Sequence, residues 1–136
     1  MRVTPQEYAD LLQRRRGNEV LKTSIPRHAI PDTRGMNKLE ARFAREVLDI
    51  RKMVGEILSW KYEGVKLRLA DRTYYTPDFM VCFEDHIEMC ELKGFWRDDA
   101  RVKWKVAAEM FPEFQFVAVQ WKKGAWIYEV CHHAAY

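Results

Sequence analysis

The sequence predicts an α/β protein. Apolar residues recur at helical spacing in two stretches, Leu39 to Val54 and Val102 to Met110. Between and after them lie short runs rich in β-branched and aromatic residues, bounded by charged or glycine-bearing turns. At 136 residues and 48% hydrophobic content, one domain with a real core is expected, with no room for a second catalytic unit. An N-terminal arm over residues 1–36 would precede a core over 37–136.

Composition excludes more than it assigns. No run approaches the length needed to span a bilayer, and the N-terminus reads as a polar helix rather than a secretory signal, so no membrane partner and a cytoplasmic location are expected. Three cysteines, an odd number, suit free thiols in a reducing compartment. A net charge of +3 does not announce a nucleic-acid partner, and only its distribution informs.

Taken in order, Thr4-Pro5-Gln6-Glu7 is a helix start, with Thr4 as N-cap, Pro5 at the first helical position and Glu7 closing a capping box. The helix runs to Arg14, Arg15 and Arg16, where cations suit a C-terminal end, and Gly17 stops it. Residues 18–35, with Pro26, Pro31 and Gly35, read as an extended arm. Residues 1–36 hold seven Lys or Arg against four acids, a balance of +3, so the arm is a candidate DNA contact; a solvated helix and linker is the plainer alternative.

From Asn37 a second helix should bury Leu39, Phe43, Val47, Ile50 and Val54 as one stripe. Glu40 sits one residue round from it, at the border of the core, and Glu46 competes with it as a functional acid. The plainer role for Glu40 is an acid in the first turn favoured by the helix dipole. Ile57–Tyr62 and Val65–Leu69 then read as a first strand, bulged at Gly64, turning at Ala70-Asp71-Arg72.

A hairpin follows: Tyr74 to Phe83, a polar turn at Glu84-Asp85-His86, and Ile87 to Gly94. Alternation along a strand puts Glu91 and Lys93 on one face. A turn at Glu84-Asp85 sets Asp78 opposite Glu91, and one at Asp85-His86 sets it opposite Lys93; a three-residue turn separates Asp78 from the pair. In the two-residue registers the other face holds Phe79, Val81, Phe83, Cys90 and Leu92, with Glu88 as the misfit. Two acids and a lysine on an apolar hairpin add little stability as an ion-pair cluster. A divalent cation reverses that: Asp78, Glu91 and the carbonyl of Leu92 would suit Mg²⁺, with water and phosphate completing the shell.

After Gly94, Phe95-Trp96-Arg97 form a loop beside these residues. A helix capped by Asp98 or Asp99 should turn Val102, Val106, Ala107 and Met110 inward. Arg97, Arg101, Lys103 and Lys105 are then candidate phosphate contacts, or simply a solvated basic face. Phe114–Trp121 and Ala125–Val130 complete a strand pair around Lys122-Lys123-Gly124, and Gln120 falls at the end of the first of these strands.

Pro77-Asp78 followed by Glu91-Leu92-Lys93 resembles the signature of the PD-(D/E)XK nuclease superfamily. From about Met36 to Val130 the chain is also similar to small phage and prophage endonucleases, most visibly at Tyr75-Thr76-Pro77-Asp78-Phe79 and Glu91 to Arg101. The resemblance implies a restriction-endonuclease-like core, a central mixed β-sheet flanked by helices in α-β-β-β-α-β order. It implies a Mg²⁺-dependent DNA endonuclease, with Mn²⁺ able to substitute. Asp78, Glu91 and Leu92 would hold the metal, Glu40 would serve a second metal or its water, and Lys93 would position or activate the attacking water and offset charge on the transition state. A 5′-phosphate and a 3′-hydroxyl would be the products. Phage relatives of this size often resolve Holliday junctions as homodimers. Nicking or end-processing in replication or packaging, or a non-cleaving DNA-binding module, are the alternatives.

Cys82, His86 and Cys90, with Cys131-His132-His133, are a competing zinc set whose spacing is poor. No Gly-rich phosphate loop is present, so no nucleotide cofactor is expected.

Overall fold

The computed structural model describes residues 31–131, which fall into two compact units divided between Leu58 and Ser59. The helix expected over Thr4 to Arg16, with Arg14, Arg15 and Arg16, most of the expected basic arm, and the histidines of the tail lie outside the described residues.

In the first unit, Asn37 begins helix α1 (Lys38–Phe43) with a reciprocal cap. The Asn37 side chain accepts from the Glu40 N–H at 2.8 Å, and the Glu40 carboxylate accepts from the Asn37 N–H at 2.9 Å. The helix continues through a π-helical turn, Ala44–Leu48, into α2 (Asp49–Met53). That turn corrects the expected stripe. Phe43 is buried, but Leu39, Val47, Ile50 and Val54 are only half-buried, and the remaining buried positions are Glu40, Ala44 and Leu48. A π turn takes in one residue more than an α turn, so the buried seam passes from Phe43 to Leu48 instead of Val47.

The second unit is built on a five-stranded mixed sheet in the order β1-β4-β5-β6-β7, so the chain is α/β, as predicted. Its strands are β1 (Ser59–Tyr62), β4 (Phe79–Cys82), β5 (Ile87–Leu92), β6 (Gln115–Lys122) and β7 (Ala125–Val130). The β5–β6 pair is parallel and the others antiparallel. A separate two-stranded sheet pairs β2 (Leu67–Ala70) with β3 (Thr73–Tyr75).

This corrects the single first strand bulged at Gly64. Glu63 takes φ 49°, which turns the chain out of the main sheet. A Cβ at Gly64 would come within 2.8 Å of Lys61 Cβ, so glycine is needed for the close pass. The irregularity in pairing falls between Arg68 and Ala70 instead, just before the expected turn, where Arg72 has φ 53°. The arm read as continuous from Tyr74 to Phe83 is likewise broken. Pro77 has no N–H for a ladder, so β3 ends at Tyr75 and pairs elsewhere, and β4 begins at Phe79.

The hairpin register is the one with Glu84-Asp85 as its turn. Phe79 pairs with Cys90 and Cys82 with Ile87, and the Phe83 N–H donates to the His86 carbonyl at 2.9 Å. One face carries Phe79, Val81, Cys90 and Leu92, all buried, with the misfit Glu88 half-buried and 3.6 Å from His86 Nε2. Cys82 and Cys90 stand on opposite faces, which separates two of the residues in the zinc set.

The opposite face is covered by α3 (Asp98–Met110), which bridges β5 and β6. Met89, Phe116 and Ala118 of the sheet form one core with Trp104, Ala107 and Ala108 of α3 and with Leu67 and Tyr75 of the small sheet. Each fully buried side chain such as Met89 or Phe116 contributes about 1.5–3 kcal/mol. The expected inward set on α3 holds only for Ala107: Val102, Val106 and Met110 are exposed. Trp104 decides this, because its ring buries far more apolar surface than either valine and turns the helix toward its own side. The N-cap is Arg97 rather than either aspartate, so Asp98 and Asp99 act as first-turn acids at the dipole. Among the described residues, no helix is long and apolar enough to cross a membrane.

Candidate active site

The β4–β5 register, continued one step, sets Asp78 across from Glu91, and β5 alternation leaves Lys93 on the same face. Asp78 Oδ2 accepts from the Leu92 N–H at 2.8 Å. This bond stands where a strand carbonyl would otherwise serve, and it pins the aspartate against β5. Because Leu92 points its N–H toward the β4 side, its carbonyl faces that side too. Pro77, the next residue across, has no N–H to offer that carbonyl. The Lys93 N–H is held from the other direction by the Val119 carbonyl at 3.0 Å. Both neighbouring strands therefore fix the Glu91-Leu92-Lys93 backbone.

Glu91 is only 6% exposed, and both of its oxygens are engaged. Oε2 accepts from the Tyr75 hydroxyl at 2.8 Å, and Oε1 lies 2.9 Å from Lys93 Nζ. A buried carboxylate needs such partners, since loss of hydration would otherwise make the charge prohibitive. Burial pushes the Tyr75 phenol far above its usual range, and the neighbouring carboxylate of Glu91 adds to the shift, so Tyr75 stays a donor. Tyr75 was not singled out in the sequence. It lies on β3, in the other sheet, so strand parity along the presumed hairpin arm gave no way to place it beside Glu91.

Lys93 also lies 5.8 Å from the centre of the Trp96 ring, and Trp96 packs on Trp104 at 5.2 Å. Both indole N–H groups are buried with no hydrogen-bond partner among the described residues.

The remaining expected residues divide. Arg97, Lys103 and Lys105 are exposed, as a phosphate contact requires. Arg101 is half-buried, stacked 5.3 Å from the Trp96 ring, and its guanidinium fork grips Glu129 at 2.5 and 3.2 Å. That bond holds the Glu129 carboxyl below its usual range. Gln120 is half-buried and continues the row of Lys93, one step beyond the Leu92–Val119 pair. Glu40 belongs to the first unit, where its carboxylate closes the cap of α1.

For a cation, the second unit offers two carboxylates opposed in register on one face and, at the next residue, a backbone carbonyl directed toward β4. Among the described residues, no group of three or more His, Cys, Asp or Glu gathers as a ligand cluster. Two carboxylates with a carbonyl and otherwise water are a donor set of the kind Mg²⁺ takes, and too hard and too few for zinc. Comparison with protein-family models, curated proteins and solved structures gives no significant match.

Proposed function

We propose that the protein is a Mg²⁺-dependent DNA endonuclease with a restriction-endonuclease-like core of the PD-(D/E)XK type. The observation that carries this reading is the Asp78–Glu91–Lys93 constellation, with the two acids opposed on a hairpin and the lysine 2.9 Å from one of them. The order of elements feeding the main sheet adds support: helix, then β1, β4 and β5, then α3, then β6.

Asp78, Glu91 and the Leu92 carbonyl would hold the metal, Mn²⁺ substituting, and its chemistry would be to acidify a water and neutralise phosphate charge. The chain's own groups do the rest. Lys93 brings an ammonium to the charge that builds on the phosphate oxygens, in a site whose walls of Trp96 and Tyr75 strengthen electrostatics. Tyr75 holds one Glu91 oxygen, which leaves the other to be shared between Lys93 and an incoming ligand. The Leu92 N–H orients Asp78. The reading needs no contribution from Glu40. Exposed Arg97, Lys103 and Lys105 would contact phosphates and fix the DNA without reading its sequence. Branched or recombination DNA, cut by a homodimer, is the preferred substrate reading; nicking or end-processing is the alternative within the class.

One observation favours a non-cleaving DNA-binding module: both Glu91 oxygens are already satisfied from within the chain. Cleavage of labelled duplex, single-stranded and four-way-junction DNA in Mg²⁺ or EDTA separates the two. Wild type should cut in Mg²⁺ alone, and Asp78→Ala and Lys93→Ala should abolish cutting while retaining DNA binding. Binding without cleavage in Mg²⁺ and in Mn²⁺ would establish the module instead.

A further inference from the structure

The loop that leaves the candidate site ends in a side chain that the fold does not use. Phe95 is 71% exposed, the most exposed large apolar residue among those described, and it stands two residues from Lys93. Its neighbour Trp96 is anchored inward against Trp104 and between Lys93 and Arg101, so the loop is held by one aromatic while the other is pushed out. Gly94, between Lys93 and Phe95, does not take a left-handed φ, and a Cβ built there would meet open space. Neither backbone conformation nor internal packing asks for glycine at this position. Arg97, also exposed, flanks Phe95 on its far side.

We propose that Phe95 is a stacking platform for an unpaired nucleobase, set beside the phosphate that Lys93 would face, and that it selects DNA with an unstacked nucleotide over intact duplex. The inference rests on the nuclease reading and sharpens its substrate. An aromatic ring between two cations on an open loop combines the features that bind a single strand: cations track the phosphates, and the ring takes a base face without regard to its identity. Within intact duplex the base faces are covered by their neighbours, so a ring on a loop has nothing to stack on unless a step is opened.

The test is binding rather than cleavage. Fluorescein-labelled oligodeoxynucleotides are titrated in EDTA as a blunt duplex, the same duplex with one bulged nucleotide, and a single strand, against wild type, Phe95→Ala, Phe95→Trp and, as an exposed apolar control on β7, Ile127→Ala. Wild type should bind the bulged and single-stranded probes more tightly than the duplex. Phe95→Ala should lower that preference on the order of tenfold, Phe95→Trp should keep it, and Ile127→Ala should not change it. The same thermal midpoint for wild type and Phe95→Ala is expected from the exposure of the ring. An unchanged preference in Phe95→Ala, an equal loss for all three probes, or no preference in wild type overturns the stacking role. A wild type that still cleaves in Mg²⁺ then leaves the nuclease reading standing, whereas one that binds no DNA removes both.

Discussion

Glu91 and Glu129 lie in one cross-strand row, with Ala118 of β6 between them, and each is paired with a cation, yet the two pairs have different consequences. Glu91 is on a central strand, buried, and held by a lysine two residues away and a tyrosine from another sheet. Glu129 is on the edge strand, its side chain 46% exposed, and gripped through both oxygens by Arg101 of α3. The bidentate pair has the better geometry and the smaller consequence, because water screens it and would replace it. The monodentate pair sits where water cannot compensate. Burial, rather than the number of bonds, sets the two acids apart.

The comparison breaks most sharply at Glu91. Glu91→Gln keeps the shape but removes the charge opposite Asp78, and should lower Mg²⁺-dependent cleavage by about 10²–10³-fold, the scale of losing one electrostatic group in such a site. Glu129→Gln should leave the cleavage rate within about twofold, as expected of a screened surface pair. Single-turnover assays on the same junction substrate read both. Equal effects would mean that the row is one electrostatic unit and burial is not the deciding factor.

Tyr75→Phe is the next largest. It leaves a buried carboxylate oxygen without its donor, and should destabilise the fold by about 1–3 kcal/mol in urea unfolding. It should also weaken Mg²⁺ binding measured by calorimetry. A neutral result would show that Tyr75 is only a packed ring beside Phe116.

Smaller still, a double-mutant cycle of Arg101→Ala and Glu129→Ala should give a coupling of about 0–1 kcal/mol that shrinks with added salt. Arg101→Ala alone should cost more than Glu129→Ala, since its stem and guanidinium also cover Trp96. The smallest effect is on pH. The Glu129 carboxyl is held below its usual range by the Arg101 hydrogen bond, so the unfolded chain takes up its proton first as pH falls. The pair's contribution is complete above the ordinary carboxylate range and is lost as pH drops through the lowered value. Urea midpoints at neutral and acidic pH should converge slightly between wild type and Glu129→Gln; a gap that widens in acid would reverse the sign.

Much of the architecture was legible because local chemistry and global fold agree. The polar run Glu84-Asp85-His86 marks a turn, but it leaves three registers open, and the pairing of Phe79 with Cys90 selects the one that opposes Asp78 to Glu91. What was not legible depended on competition between distant surfaces. Val102, Val106 and Met110 have the spacing of a buried stripe, but the Trp104 side of α3 meets the sheet, and only the sheet's own residues could reveal that. The seam of the first helix slipped by one residue through a π turn that leaves no pattern in composition. Tyr75 reaches Glu91 from β3, across a break at Pro77 that the sequence, read as one continuous arm, does not reveal.

The parallel pairing of β5 with β6 sets a timetable for synthesis. The β4–β5 hairpin closes through two residues and can form as soon as it clears the ribosome. The Lys93 N–H, by contrast, meets its carbonyl at Val119, beyond the whole of α3. A nascent chain that has reached Phe114 already carries Asp78, Glu91 and Lys93, yet it lacks the strand that clamps them and leaves one edge of β5 unpaired. During translation that edge is open to mispairing, and the clamp on the Lys93 N–H closes only when β6 has been delivered.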